Sequence, residues 1–363
     1  NGGFCCLGGG ILGNAQIDKA FGTDARHAWR TAEQDAISHV AKLLERHKIN
    51  ADTHSDGETL LAHKAKRWTT LKHHAEEVAE SYGVEPILIP KGELSEHGLE
   101  GPFHGALTTP IGFGLNPLKY ALGIAEAARA AGARFFEHCP VNRIEQGAKF
   151  SLHTPKGRIT AKRIIIATNG YSSEDIPDWL AARFMPVQSS VLVTRPLTNT
   201  ELTDAGWTSD QMAFDSRNLL HYFRLMPDRR FLFGMRGGIF ANARSDAKIK
   251  RLIRSDFEQM FPAWTHVDTP HMWSGLVCMN AKGLPFTGPV PDMPGAYASL
   301  SYHGNGVAMA SYCGTLLADL VQDKDTRLPY PEVVQTAPTK LPFGTKRTWL
   351  LPPLYAAMGI FDR

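Results

Sequence analysis

Ser301-Tyr302-His303-Gly304-Asn305-Gly306-Val307-Ala308-Met309-Ala310 is the stretch on which the reading of this chain turns. It lies where Tyr297-Ala298-Ser299-Leu300 reads as a strand and Gly306 to about Gln322 reads as a helix. A strand, a glycine turn and a helix bring backbone N–H groups, and the positive end of a helix dipole, up to a ligand lying on the main chain. Ala167-Thr168-Asn169-Gly170-Tyr171 repeats that logic at the end of the apolar run Arg163-Ile164-Ile165-Ile166-Ala167, and Asn1-Gly2-Gly3 opens the chain with a third such turn. A β-branched apolar run suits a buried parallel strand whose C-terminal end meets a ligand. Together the three turns point to a flat aromatic or phosphate-rich cofactor.

Outward from these turns, hydrophobic periodicity places the other elements. Ala28, Ala32, Ala36, Ile37, Val40, Leu43 and Leu44 recur at helical spacing and predict helices over residues 14 to 48. Thr59-Leu60-Leu61-Ala62 opens a β-rich insertion as a strand, followed by a helix through about Ser81. Asn116-Pro117 predicts an N-cap with proline at the first helical position, a helix over Leu118 to Ala131, and a C-cap at Gly132. Short strands are expected at Arg134-Phe135-Phe136 and Val141-Asn142-Arg143-Ile144, with a hairpin turning at Pro155-Lys156-Gly157. From Val187 to about Trp273 the pattern changes to strands such as Ser190 to Thr194, His221 to Leu225 and Phe231 to Gly234, with one helix near Asp246 to Met260. That change reads as a second, mostly antiparallel region inserted into an α/β framework. The proline-rich tail after Asp325 is expected to pack over the surface.

Composition narrows the class. At 363 residues, 43% hydrophobic and 21% charged, the chain can bury one large core or two coupled ones. No apolar run approaches the roughly 18 residues of a spanning helix. The net charge of +3 is spread along the chain, without the lysine and arginine clusters of a nucleic-acid groove. Five cysteines with no CxxC spacing fit free thiols in a reducing compartment, so a cytoplasmic location is expected. The histidines, His73-His74 included, lack the ligand spacing of a zinc site, so no metal is expected. The chain starts inside a glycine-rich turn and without methionine, which predicts further residues upstream.

Gly8-Gly9-Gly10-Ile11-Leu12-Gly13 satisfies G-x-G-x-x-G. The dinucleotide fingerprint also needs a strand before it, a helix after it and an acidic residue at the end of a second strand. Only Phe4 to Leu7 offers a strand here, and helices follow with no second strand, so a flexible glycine turn is the favoured reading. A nicotinamide dehydrogenase would need these glycines to open a true βαβ unit.

The ordered set of motifs resembles the D-amino-acid oxidase superfamily of FAD-dependent oxidoreductases, and within it the gamma-glutamylputrescine oxidase type. The resemblance rests on the opening Asn-Gly-Gly, Asn116-Pro117-Leu118-Lys119-Tyr120, Ala167 to Tyr171, Tyr222-Phe223-Arg224-Leu225, Leu284-Pro285-Phe286-Thr287-Gly288, the His303 to Val307 turn and Arg347-Thr348. It implies an α/β fold: an FAD-binding Rossmann-like domain, truncated at its N-terminus so that it lacks the family's G-x-G-x-x-G unit, carrying an inserted, mostly antiparallel substrate domain. On this reading residues 1–50, 106–175 and 274–325 form the cofactor domain, 51–105 and 176–273 the substrate domain, and 326–363 a tail. The resemblance places Asn1, Gly2 and Gly3 near the flavin pyrophosphate and ring, and the Val141 backbone at the adenine. Ala167, Thr168, Asn169 and Gly170 then pass beside the dinucleotide, and His303, Gly304, Asn305, Gly306 and Val307 lie under the isoalloxazine.

Family members that oxidise free amino acids clamp the carboxylate with two arginines, whose places correspond here to Val277 and Gly304. Their absence argues against a small α-amino acid, because a buried carboxylate without a paired cation is costly. An amine or polyamine conjugate is the expected substrate, with oxygen or another electron acceptor completing the cycle. Tyr222, Arg224, Trp273 and His303 are the side chains expected around the substrate. His303 is expected to orient the amine or take its proton, or else simply to bond to backbone. Arg224 is expected to hold a substrate carboxylate, or to pair with an acid in the inserted sheet. The competing reading is a non-catalytic or partnered subunit; the oligomeric state is left open.

Overall fold

The computed structural model describes residues 1–236, 238 and 243–362. The alanine-rich opening forms α1 (Asn14–Phe21) and α2 (Thr23–Arg46), separated by Gly22 at φ 87°. A short strand β1 (Phe4–Cys5) precedes them. Next come β2 (Glu58–Leu61), α3 (Ala65–Tyr82), β3 (Ile87–Pro90), β4 (Gly105–Thr109) and β5 (Phe113–Gly114). Asn116 caps α4 (Pro117–Ala130) as its sequence predicts, its side chain accepting from the N–H groups of Leu118 and Lys119. Three strands β6 (Arg143–Gln146), β7 (Phe150–Thr154) and β8 (Gly157–Ala161) precede the isoleucine strand β9 (Ile164–Ile166).

The second half supplies β10 (Met185–Pro196), α5 (Asn199–Ala205), β11 (Met212–Asp215), β12 (His221–Leu225), β13 (Arg230–Arg236), α6 (Ala243–Met260) and β14 (His271–Met279). The chain then returns through β15 (Phe286–Pro289), β16 (Ala296–Leu300) and α7 (Gly306–Leu320). Its tail carries α8 (Glu332–Gln335) and α9 (Leu351–Asp362). None of the helices among the described residues is long and apolar enough to cross a membrane.

Among the described residues the strands sort into four sheets, two of which frame the site. Eight strands in the order β14-β10-β13-β12-β11-β2-β4-β3 form the larger, antiparallel throughout except where β11 runs parallel to β2. The smaller has the order β15-β16-β9, with β9 and β16 parallel as expected, although only Ile164 and Ile166 of β9 are buried and Ile165 is exposed. Strand alternation gives the large sheet two different faces. Thr59, Leu61, Ala213, Phe223, Phe231 and Phe233 are fully buried on one face, beneath Phe257, Phe261 and Trp264. Glu58, Leu60, Phe214, Tyr222 and Gly234 occupy the other, in register across β2, β11, β12 and β13. A second core joins α2 and α7 through Trp29, Ala32, Ala36, Tyr312 and Leu316.

Some expectations shift. Arg134 to Phe136 is not a strand, and Val141 and Asn142 precede β6 rather than belonging to it. The expected domain limits at 105/106 and 273/274 cut through β4 and β14, both members of the large sheet. β1 pairs antiparallel with β5, so Gly8 to Gly13 link β1 to α1 and open no parallel βαβ unit. The glycine-turn reading of that motif holds, and the nicotinamide reading loses its structural basis.

One buried cluster couples the large sheet to pH. His221 on β12 bonds through Nδ1 to Asp215 at 2.9 Å and through Nε2 to Asp256 at 3.2 Å. Burial alone would lower its pKa, but the bonds to the two carboxylates outweigh that and push it up to about 9. A raised histidine pKa stabilises the fold fully below its unfolded value near 6.5, and that stabilisation is lost as pH rises through 9. His221→Gln should therefore melt below the native protein by an amount on the order of a few kcal/mol at about pH 6, with the gap closing toward about pH 9. Thermal unfolding of both proteins across that range checks it; a constant gap would contradict it.

Candidate active site

A cavity of about 380 Å³ lies between the turn after β16 and the polar face of the large sheet. Asn1, Gly2, Asn169, Tyr222 and the run His303 to Val307 all line it. The three glycine turns of the sequence thus meet at one place, though they are separated by well over a hundred residues.

Specific bonds fix the turns. Ser301 N–H donates to Asn169 Oδ1 at 2.9 Å, tying the end of β16 to the turn after β9. His303 N–H donates to the Cys278 carbonyl at 3.2 Å, and the Asn305 side-chain amide donates to the Leu7 carbonyl at 3.0 Å. Asn305, spent on Leu7, leaves the first amides of α7 without a side-chain cap. Those amides and the helix dipole form an anion-seeking end at the cavity wall. Ser301 at φ 67° and His303 at φ 52° hold left-handed backbone that non-glycine residues adopt at a cost, and such strain concentrates at functional turns.

Gly2 allows close approach at the opposite wall. A Cβ there would lie 2.7 Å from Tyr222 Cε2, and one on Gly234 would lie 2.2 Å from the same ring. Tyr222 fits between them, with its hydroxyl 2.9 Å from Ser189 Oγ and its ring edge-on to Phe4. Arg236, at the end of β13, donates to the His303 carbonyl at 3.3 Å and lines the cavity. Among the described residues it has no carboxylate partner, and burial lowers its pKa. His303 is buried with neither ring nitrogen in a hydrogen bond of good geometry. Burial and then the Arg236 charge lower its pKa to about 4, so its ring is neutral at pH 7. A neutral ring of this kind suits hydrogen bonding better than proton transfer near neutrality.

The other sequence-predicted residues lie outside this cavity. Arg224 is buried in its wall, with Nε donating to the Gly2 carbonyl at 2.8 Å, Nη2 to the Leu115 carbonyl at 2.9 Å and Nη1 to His54 Nε2 at 2.7 Å. All of these partners are protein, and among the described residues no carboxylate forms an ion pair with it, Asp228 before β13 acting on it only through its charge. Gly3, at φ 75° behind Gly2, has Leu115 O 2.1 Å from where a Cβ would be. Gly170 is pressed against Leu276, Ala167 and Thr168 are exposed, and Val141 is half-buried in coil away from the cavity. Trp273, 40% exposed, lines an adjoining chamber of about 530 Å³ with Lys250, sharing the wall residues Tyr171, Gly275 and Leu276. The sequence reading missed Arg236, Glu58 and Cys6, which line the cavity. Strand alternation in β2 and β13 carried a faint signal for the first two, since each places a charge among apolar neighbours.

Uncapped helix amides and turns where glycine keeps the wall open together suit a flat ring with acceptor atoms along one edge. This is the profile of a flavin cradle, and a family model confirms the class. The chain belongs to the DAO family: the model described as FAD dependent oxidoreductase matches residues 7–320, and the protein is accordingly an FAD-dependent enzyme. Among its relatives, gamma-glutamylputrescine oxidoreductase of Escherichia coli is 27% identical over 94% of this chain and 78% of that protein. A probable oxidoreductase, OrdL, of Rhizobium meliloti is 31% identical over 81% and 67%. The fold is shared with glycine oxidase of Geobacillus kaustophilus, with a TM-score of 0.70 and 19% identity over 92% of this chain and 88% of that one. Iminodiacetate oxidase of Chelativorans sp. BNC1 gives a TM-score of 0.69 at 16% identity, over 92% and 90%.

Proposed function

We propose that this enzyme oxidises an amine bearing a distal carboxylate, a polyamine conjugate or a related amino compound, by hydride loss from the carbon next to nitrogen, after which water hydrolyses the imine. The observation that carries this reading is Arg236, a cation without a carboxylate partner among the described residues, on the wall of a cavity that also holds the flavin-type turns. Val277 and Gly304 stand where arginine clamps occur in amino-acid oxidases of the family, and both line this cavity without a charge. Arg236 Nη2 would be 3.0 Å from a Cβ on Gly304, so β13 supplies a cation close to a position left empty by the turn. The relative named for gamma-glutamylputrescine supports a substrate of this kind.

Bound FAD supplies the hydride acceptor at N5, and oxygen or another acceptor restores it. The chain's own residues do the rest. Phe4, Phe214 and Tyr222 form an apolar wall that excludes water from the reacting carbon. The amides of Gly306 and Val307, on α7, stabilise negative charge where they meet the cofactor. Arg236 holds the substrate's carboxylate, and neutral His303 accepts a hydrogen bond from its amine. Trp273 and Lys250 line the adjoining chamber, where a long conjugate would extend. The β9, β15, β16 and α7 assembly holds the cofactor, and the eight-stranded sheet faces the substrate.

Anaerobic mixing of the FAD-loaded protein with γ-glutamylputrescine, putrescine and glycine tests the reading by bleaching of the oxidised flavin band. γ-Glutamylputrescine should bleach it fastest, with glycine slowest. Glycine matching the conjugate would overturn the proposal.

A further inference from the structure

We infer that Glu58 is the residue that receives the substrate ammonium and takes its proton before oxidation. This rests on the amine-oxidation reading above and names the side chain behind its first chemical step. Amine oxidation by hydride loss needs the free amine, so an alkylammonium must first give a proton to the protein. The step balances as R–NH₃⁺ plus the Glu58 carboxylate giving R–NH₂ plus the Glu58 carboxylic acid.

The geometry supports this in three ways. Glu58 lines the cavity from the first position of β2. Alternation along that strand turns Thr59 and Leu61 into the opposite core and puts Glu58 on the face of Phe214 and Tyr222, which also line the cavity. Among the described residues its carboxyl has one side-chain partner, the Cys6 thiol, and no cation. A carboxylate in an aromatic cavity with only a thiol for company is suited to a cationic guest.

The groups facing Glu58 leave it the right chemistry. Burial, and then the charge of Glu33 on α2, raise its pKa to about 7 against the opposing Cys6 bond, so it ionises near neutrality. Cys6, just after β1, is pushed well above the usual thiol range by burial. Across the cavity, burial raises the Tyr222 phenol, and Arg236 is a cation. His303, lowered to about 4, is too weak a base. Glu33 is already bonded by Arg30 at 2.8 Å and by the Tyr82 hydroxyl at 2.8 Å. Glu58 is thus the side chain among those lining the cavity that changes protonation where an amine must be neutralised.

The test compares the FAD-loaded native protein with Glu58→Gln and Glu58→Asp. With γ-glutamylputrescine the native rate of flavin bleaching should show an acid limb near pH 7, which Glu58→Asp keeps and Glu58→Gln loses. At neutral pH the glutamine variant should be slower by roughly a hundredfold or more, recovering as alkali deprotonates the free amine. Superimposable native and Glu58→Gln profiles would overturn the assignment. A second readout needs no turnover: calorimetric titration with tetramethylammonium chloride should show binding to the native protein that weakens below pH 7 and is lost in Glu58→Gln. Equal binding in both would also overturn it. If no amine bleaches the native flavin while this cation still binds through Glu58, the amine-oxidation reading fails and the carboxylate site stands.

Discussion

Arg236→Met should lose roughly thirtyfold to a thousandfold in kcat/KM for γ-glutamylputrescine, while oxidation of putrescine, which has no carboxylate, changes little. The estimate follows from removing one charge-assisted anchor from a desolvated site, about 2–4 kcal/mol of transition-state binding. Arg236 has no acid of its own among the described residues, so its removal leaves no protein carboxylate stranded. Most of the loss should fall on KM, because the anchor binds the same carboxylate in the ground state and the transition state. Steady-state kinetics on both substrates, with the flavin spectrum recorded to show that the His303 turn still holds its cofactor, reads the result. Equal losses on both substrates would show that Arg236 supports the turn rather than the substrate.

Arg224→Met should behave in the opposite way, costing stability before specificity. Its guanidinium ties the carbonyls of Gly2 and Leu115 to His54, which in turn bonds through Nδ1 to the Asp52 carbonyl at 2.9 Å. Methionine fills much of the volume but leaves buried carbonyls without a donor, at a cost of about 3–4 kcal/mol. Calorimetry should show a lower melting temperature, and the FAD content should fall because Gly2 lines the cofactor cavity. A variant that melts with the native protein and differs only in KM would return Arg224 to the substrate-binding role its sequence position suggested.

These two arginines show how far the sequence could be read. Both lie on neighbouring antiparallel strands, and both flank apolar runs. Sequence pattern singled out Arg224, in the motif Tyr-Phe-Arg-Leu, and passed over Arg236. What separates them is their surroundings: Arg224 meets Gly2 and Leu115, whereas Arg236 meets the turn at His303. Such partners lie as far as 222 residues away, and nothing local to either strand encodes them. Glu58 was missed for the same reason, since a charge next to a buried strand reads as an ordinary solvated end until Cys6, Phe214 and Tyr222 enclose it.

The residues themselves determined the local events that hold the cradle: the asparagine cap and proline of α4, the isoleucine strand β9, and glycines where a side chain would strike a neighbouring ring or carbonyl. These follow from backbone stereochemistry, which acts over a few residues. The tertiary structure alone decided which charges face the cavity. Alternation assigns each strand residue to a face, but burial and pairing decide whether a charge on that face is wholly enclosed by protein partners, as Arg224 is, or lines the cavity, as Arg236 and Glu58 do.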